Sequence, residues 1–141
     1  MQLKLWMKKG KRLFKIYVLG NLLLEQDALP IQLLPKLREQ FSDIEFLELD
    51  PTENLPEEEN LILIDTIINT DKIQILKDID KIQSSPSYSL HDFDLGFQLK
   101  LAKKLNKLQD VTIIGIPPNI SHDKVLEDLK EIIPNSLSKN E

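Results

Sequence analysis

The segment LILIDTI, residues 61–67, constrains the fold more than any other part of the sequence, because it is almost continuously apolar. A strand that is apolar on both faces is typical of a parallel sheet covered by helices on either side, whereas a strand with one wet face alternates apolar and polar residues. KIYVL at 15–19 and VTIIGIPP at 111–118 have the same character, and two prolines end the latter. The sequence therefore predicts three buried strands.

The segment between the first two of these strands supplies a helix and a further strand. DALPIQLLPKLREQF, residues 27–41, has leucines at helical spacing, with Pro30 acceptable in a first helical turn and Pro35 indicating a bend. IEFLELD, residues 44–50, alternates apolar side chains with acids, which predicts a half-exposed strand at or near a sheet edge. Another short strand is predicted at 73–76.

Two amphipathic helices complete the pattern. The first is predicted over 92–108, and the closing helix over 122–133 with Ser121 as its N-cap. The predicted apolar side of the first helix consists of Leu95, Leu99, Ala102 and Leu105. This alternation of strands and helices predicts a three-layer α/β/α sandwich with an open, largely parallel sheet of about five strands.

Length and composition indicate a single α/β domain over residues 1–141, 41% hydrophobic and 29% charged. We predict a basic arm at 1–14, a core at 15–134 and a polar tail at 135–141. No apolar run reaches the ~20 residues of a membrane span, and the basic start lacks a secretory apolar stretch, which predicts a cytoplasmic protein without a membrane partner. The absence of cysteine excludes thiol nucleophiles and thiolate metal sites.

Charge is unevenly distributed along a chain whose net charge is −5. Residues 39–71 carry eleven acids and no Lys or Arg, whereas residues 1–15 carry six basic residues and no acid. The acidic segment is either a solvated face or a surface for a basic partner. An acidic domain whose basic arm has no interleaved aromatics argues against a nucleic-acid partner.

Three polar residues fall where an open parallel sheet binds ligands, beyond the carboxyl ends of its strands. Asp27 follows the first strand, Asp65 ends LILID, and His91 precedes the amphipathic helix. Two carboxylates and an imidazole suit a borderline first-row cation such as nickel or zinc. Taken singly, each has an ordinary structural explanation, since such an Asp caps backbone donors and a loop His is usually on the surface.

Other chemistries have less support. The sequence contains no G-x-S-x-G nucleophile elbow, and its four glycines form neither a dinucleotide fingerprint nor a Walker loop. A receiver-like module that accepts a phosphoryl group on Asp65 is a further hypothesis, but the prolines that end the last strand stand where a lysine would be needed.

Four segments resemble the nickel-iron hydrogenase maturation endopeptidases, in order from about residue 15 to 119. GNLLLEQDALP resembles the family's G-N-x-L-x-x-D-[DE] signature, and SLHDFDLGFQLKLAKKL resembles its His-containing loop and following helix. LILIDTI and VTIIGIPPN are similar to the family's central and final strands. The GN and SLHDFDL segments are the specific parts of this resemblance.

The resemblance implies an endopeptidase that removes a C-terminal peptide from a nickel-loaded hydrogenase large-subunit precursor. By motif position, Asp27, Asp65 and His91 are the residues that contact the nickel, and Asp50 matches a further acidic residue to which we assign a catalytic role. The nickel is supplied by the substrate, with zinc or cadmium as substitutes in vitro. We expect the protein to be a monomer whose partner is the precursor.

The chain also departs from the family pattern. Val18 replaces the first glycine of G-x-G-N, Gln26 stands where an acid is common, Pro30 replaces a glycine, and the D-G-G-T turn is DPT. These changes support an alternative hypothesis, a non-catalytic relative that binds the precursor or an accessory protein without cleaving it.

Overall fold

The computed structural model describes residues 14–20, 23, 28–50, 55–77 and 93–138, and for residues 93–96 and 138 it describes the backbone alone. Its elements are β1 Phe14–Val18, α1 Leu29–Gln32, α2 Leu34–Gln40, β2 Ile44–Glu48, β3 Asn60–Thr66, β4 Gln74–Lys77, α3 Phe93–Lys104, β5 Asp110–Ile116 and α4 His122–Ser138. Across these residues no helix combines the length and the apolar character that a membrane crossing requires.

The five strands form one sheet in the order β2-β1-β3-β5-β4. Neighbouring strands are parallel except for β4, which pairs antiparallel with β5 at one edge. The half-exposed strand β2 lies at the other edge, and the apolar strand β3 lies at the centre of the sheet. The predicted open, largely parallel sheet of about five strands is therefore confirmed.

Register divides the apolar side chains between the two faces of the sheet. Ile16 pairs with Phe46, and Ile64 pairs with both Val18 and Ile114, so even-numbered residues of these four strands share a face. Helices α1, α2 and α4 cover this even face through Leu29, Leu33, Leu34, Leu37, Val125, Leu129, Ile133 and Leu137. Helix α3 covers the odd face, where its Leu99 packs with strand residues Tyr17, Leu61, Leu63, Val111 and Ile113. The predicted three-layer arrangement is confirmed.

Two prolines shape the first crossover. Pro30 lies in the first turn of α1 and Pro35 in the first turn of α2, positions at which the missing N–H costs no helical hydrogen bond. The two short helices meet at Leu33, which ends one and precedes the other. The predicted bend is therefore present, and it lets both helices press leucines against the even face.

The end of α3 differs from the sequence prediction for Leu105, which is 57% exposed rather than part of the buried side. The helix ends at Lys104, and Asn106 has a left-handed φ of 59°. The Lys107 N–H donates to the Ala102 carbonyl at 2.9 Å and the Asn106 N–H to the Lys103 carbonyl at 3.1 Å, the two hydrogen bonds of a Schellman cap. This turn leaves Leu105 outside and makes Leu108 the next buried side chain.

Helix α4 has a side-chain cap at its start and extends further than predicted at its end. The Ser121 hydroxyl oxygen accepts a hydrogen bond from the Lys124 N–H at 3.2 Å, which confirms the predicted N-cap. The helix continues through Pro134 to Ser138, beyond the predicted end at residue 133. Leu137 is buried on the even face, so the packed part of the chain extends past residue 134.

Candidate functional site

The strand order reverses beside β1, which has β2 on one side and β3 on the other. At the carboxyl end of β1 the Leu19 N–H donates to the Ile64 carbonyl at 2.9 Å, and the Leu49 N–H donates to the Val18 carbonyl at 2.9 Å. No ladder bond among the described residues joins β1 to a neighbour beyond Leu19. This is the topological switch point, where open α/β sheets bind ligands.

Asp65 lies at the switch point, one residue before the end of β3. Its side chain is 1% exposed, and its Oδ1 accepts a hydrogen bond from the Thr66 N–H at 2.7 Å. On β3 the Ile64 carbonyl faces β1 and the Ile67 N–H faces β5, so the Thr66 N–H between them faces β1. Because the β1 ladder has ended at this level, the Asp65 carboxylate provides the acceptor that the strand no longer supplies.

The end of the last strand bears on the phosphoryl-acceptor hypothesis. Strand β5 ends at Ile116 and is followed by Pro117 and Pro118 rather than by a lysine. This ending does not favour a receiver-like module.

Gly115 permits close packing beside Asp65. It is the register partner of Asp65 on β5, and Ile67 packs over it. A Cβ at position 115 would overlap Cγ2 of Ile67 and lie 2.9 Å from its Cδ1 and 3.1 Å from its Cγ1. This role of Gly115 was not predicted from the sequence, although a glycine inside an apolar strand is a recognised sign of close approach.

The structure describes two of the four predicted site residues. Asp65 lies at the carboxyl ends of the parallel strands, as predicted, and the exposed Asp50 follows the carboxyl end of β2. Strand β1 separates β2 from β3, so about 10 Å, two strand spacings, separates the strands that carry the two carboxylates. Asp27 and His91 lie outside the described residues. Within the described ranges no three acidic or imidazole side chains group as metal ligands, and the predicted three-residue metal site stays a prediction.

Two buried polar groups near these strands were not anticipated from the sequence. The Thr66 hydroxyl oxygen is buried, with no hydrogen-bond partner among the residues that the structure describes. Tyr17 lies on the odd face of β1 and is 8% exposed. Burial, together with the charges of Glu58 and Glu45 and a side-chain hydrogen bond with Glu58, raises the pKa of Tyr17 to about 12.

The raised pKa of Tyr17 predicts a loss of stability at alkaline pH. The folded protein holds the phenol proton more tightly than the unfolded chain, so this contribution is fully present below pH 10, the ordinary pKa, and is lost as pH rises through about 12. Phenolate absorbance of the Tyr88→Phe variant, which keeps Tyr17 as its one tyrosine, should show titration near pH 12. Titration of the folded variant at pH 10 would contradict this prediction, and Tyr17→Phe serves as the matched control.

Comparisons with known proteins point to one fold. No family model and no curated protein matches the chain. The hydrogenase maturating endopeptidase HybD from E. coli is similar in structure with a TM-score of 0.57 and 18% identity, over 84% of this chain and 93% of HybD. The solution structure of an endopeptidase from Escherichia coli is similar with a TM-score of 0.61 and 18% identity, over 90% of this chain and 94% of that one. The chain therefore has the fold of hydrogenase maturating endopeptidase HybD.

Proposed function

We propose that this protein is a hydrogenase maturation endopeptidase, which removes a C-terminal peptide from a nickel-loaded hydrogenase large-subunit precursor. The observation that carries the proposal is the buried carboxylate of Asp65 at the switch point of a sheet whose fold is that of HybD. A carboxylate in a dry site interacts with a nearby cation far more strongly than one in water. Its position at the ligand-binding edge of the sheet is where a substrate-borne metal would meet it.

The described ends of α1 and α3 support a site shared with Asp27 and His91. Asp27 directly precedes Ala28, the buried N-cap residue of α1 on the even face. His91 precedes the first residue of α3, Phe93, by two positions, which is about 7 Å of extended chain. Helix α3 ends beside the start of β3, so its ~18 Å length brings its first residue toward the carboxyl edge. These short links along the chain support our assignment of Asp27 and His91 to a site shared with Asp65.

The types of ligand atom in the proposed site favour particular metals. Carboxylate oxygens and a neutral imidazole nitrogen suit nickel or zinc, and we assign the contacts to Asp27, Asp65 and His91. A metal in such a position polarises a carbonyl or activates water. Asp50, at the same edge, is the second carboxylate, and we assign it the catalytic role of accepting a proton from the attacking water.

A metal titration tests the proposed site. We expect the protein to bind one equivalent of nickel, zinc or cadmium, and Asp27→Ala, Asp65→Asn and His91→Ala each to weaken binding at least about 10-fold. Asp110 is the exposed first residue of β5, at the amino ends of the parallel strands. Asp110→Asn should therefore bind metal as the unaltered protein does. Binding that is indifferent to all three ligand substitutions would show that these residues do not form the site.

The second candidate function is a non-catalytic relative that binds the precursor or an accessory protein. Val18, which stands where the family has a glycine, is fully buried in the even-face core and ends β1. The end of β1 therefore carries a packed side chain where the family pattern has none. Incubation with nickel-loaded precursor distinguishes the two functions, since a protease shortens the precursor and a binder forms a stable complex without loss of mass.

A further inference from the structure

Helix α3 has one apolar side that faces the sheet and a second apolar side that faces away from it. Leu99 and Ala102 pack on the odd face of the sheet. Phe97, Leu101 and Leu105 follow one another at intervals of four residues and are 60%, 46% and 57% exposed. The Leu105 N–H donates to the Leu101 carbonyl at 3.0 Å, so Leu105 stays in line with the helix that ends one residue before it. Such a contiguous row of exposed apolar side chains marks an interaction surface.

Lysines surround this row of apolar side chains. Residues 95–109 carry four lysines and no acid, although the net charge of the whole chain is −5. All four lysines are exposed, and none has an ion-pair partner within the part of the chain that the structure describes. Lys100 and Lys104 follow Phe97 by three and seven residues, which places them on the same side of the helix as the apolar row. We define the outer surface of α3 as Phe97, Lys100, Leu101, Lys104 and Leu105.

We propose that the outer surface of α3 binds an amphipathic helix of another protein, one that is apolar toward α3 and acidic along its borders. The apolar side chains of such a helix cover the exposed apolar row. Its carboxylates pair with lysines that have no acidic partner among the described residues of this chain. Lys103 and Lys104, in the last turn, also complement the dipole of α3. The dipole does not account for the exposed apolar side chains beside them.

A groove beside α3 provides space for side chains of the partner. It has a volume of about 390 Å³ and lies between α3 and the segment before β3. Leu101 and Leu105 line it from the helix, and Pro56 lines it from the other wall. Glu57 and Lys107 also line the groove, and their opposite charges offset each other. The preference for an acidic partner therefore comes from the outer surface of α3, where every charged side chain is a lysine.

Other partners match this charge less well. A second copy that used the same surface would bring the lysines of the two chains together, and like charges oppose such contact. An anionic lipid surface also attracts lysines, but it is flat and would meet the exposed Glu57 beyond the groove. A single helix is about 10 Å across. It can lie along α3 with its acidic border turned toward Lys100 and Lys104 and away from Glu57.

Two synthetic helical peptides test the proposal by fluorescence anisotropy with the full-length protein. Both place leucines along one face of the helix, and they differ only in carrying glutamate or glutamine at the remaining positions. We expect the glutamate peptide to bind about 10-fold more tightly than the glutamine peptide, because several exposed ion pairs form with only one of them. This advantage should diminish as the salt concentration rises.

Charge-changing variants locate the bound peptide. Lys100→Glu combined with Lys104→Glu should abolish the advantage of the glutamate peptide, and Leu101→Asp should weaken the binding of both peptides. Lys130→Glu is the matched control for charge, at an exposed position of α4 on the other side of the sheet. Ile75→Asp is the matched control for the apolar change, because Ile75 on β4 is 43% exposed. Both controls should bind the peptides as the unaltered protein does.

Each result decides the question. A glutamate peptide that fails to bind, binds no more tightly than the glutamine peptide, or keeps its advantage in the doubly substituted lysine variant would overturn the proposal. A dimer in solution that Leu101→Asp converts to monomer would instead assign the surface to a second copy. Binding to phosphatidylglycerol vesicles without binding to either peptide would assign it to a lipid surface. Metal binding at the carboxyl edge is expected to be the same in all four variants, so the result stands apart from the proposed function.

Discussion

Asp65→Asn is expected to lower precursor cleavage by at least about 100-fold, the upper range of losses seen when residues that only support a metal ligand are changed. The asparagine side chain is isosteric, and its amide oxygen can still accept the hydrogen bond that the Thr66 N–H donates at 2.7 Å. It lacks the negative charge that a substrate-borne cation requires. The expected change in the free energy of unfolding is therefore small, which separates a loss of function from a loss of fold.

Two companion variants sharpen this prediction. Asp65→Ala removes the acceptor of the buried Thr66 N–H and should lower the free energy of unfolding by about 1–3 kcal/mol in addition to abolishing cleavage. Asp110→Asn, a change at the exposed first residue of β5, should cleave at the normal rate. Cleavage by Asp65→Asn at the rate of the unaltered protein would remove Asp65 from the site.

Gly115→Ala is expected to lower the free energy of unfolding by about 1–3 kcal/mol, the cost of an added methyl group in a filled core. The new Cβ overlaps Cγ2 of Ile67 and lies 2.9 Å from its Cδ1. Because Ile67 is β-branched and fully buried, its side chain cannot rotate away without disturbing its neighbours. Chemical denaturation measures the loss, which should appear as a lower midpoint with an unchanged slope.

A double-mutant cycle with Ile67→Ala identifies the cause. That substitution removes all three atoms that the new Cβ approaches, and alone it should cost about 2–5 kcal/mol because Ile67 is fully buried. In the Ile67→Ala background, Gly115→Ala should cost little, so the two effects are not additive. Additive effects would mean that the glycine serves another purpose than making room for Ile67.

The parts of the fold that local patterns determine were predictable. The apolar run of β3 required a covering layer on both faces, Pro35 could begin a helix but not continue one, and Ser121 had the chemistry of a cap. The buried position predicted for Leu105 was wrong, because helical periodicity continues through this residue. The helix in fact ends at Lys104, and the left-handed Asn106 turns the chain away. A periodic pattern does not encode where a cap interrupts it.

The candidate site shows the same difference between features that are local in the sequence and contacts that are not. The position of Asp65 follows from the end of an apolar strand, a local feature of the sequence. The contact between Gly115 and Ile67 depends on the pairing of β3 with β5, and the hydrogen bond between Tyr17 and Glu58 joins residues more than forty positions apart. Such contacts arise from tertiary pairing, which no periodicity within one segment specifies.

Cleavage of the hydrogenase large-subunit precursor, followed by mass spectrometry, tests the central claim most directly. The protein is incubated with purified nickel-loaded precursor and, in parallel, with precursor prepared without nickel. We predict that only the nickel-loaded form loses a C-terminal peptide, and that Asp65→Asn leaves both forms at full mass. A nickel-loaded precursor that stays at full mass with the unaltered protein, whether alone or in a stable complex, would contradict the endopeptidase proposal.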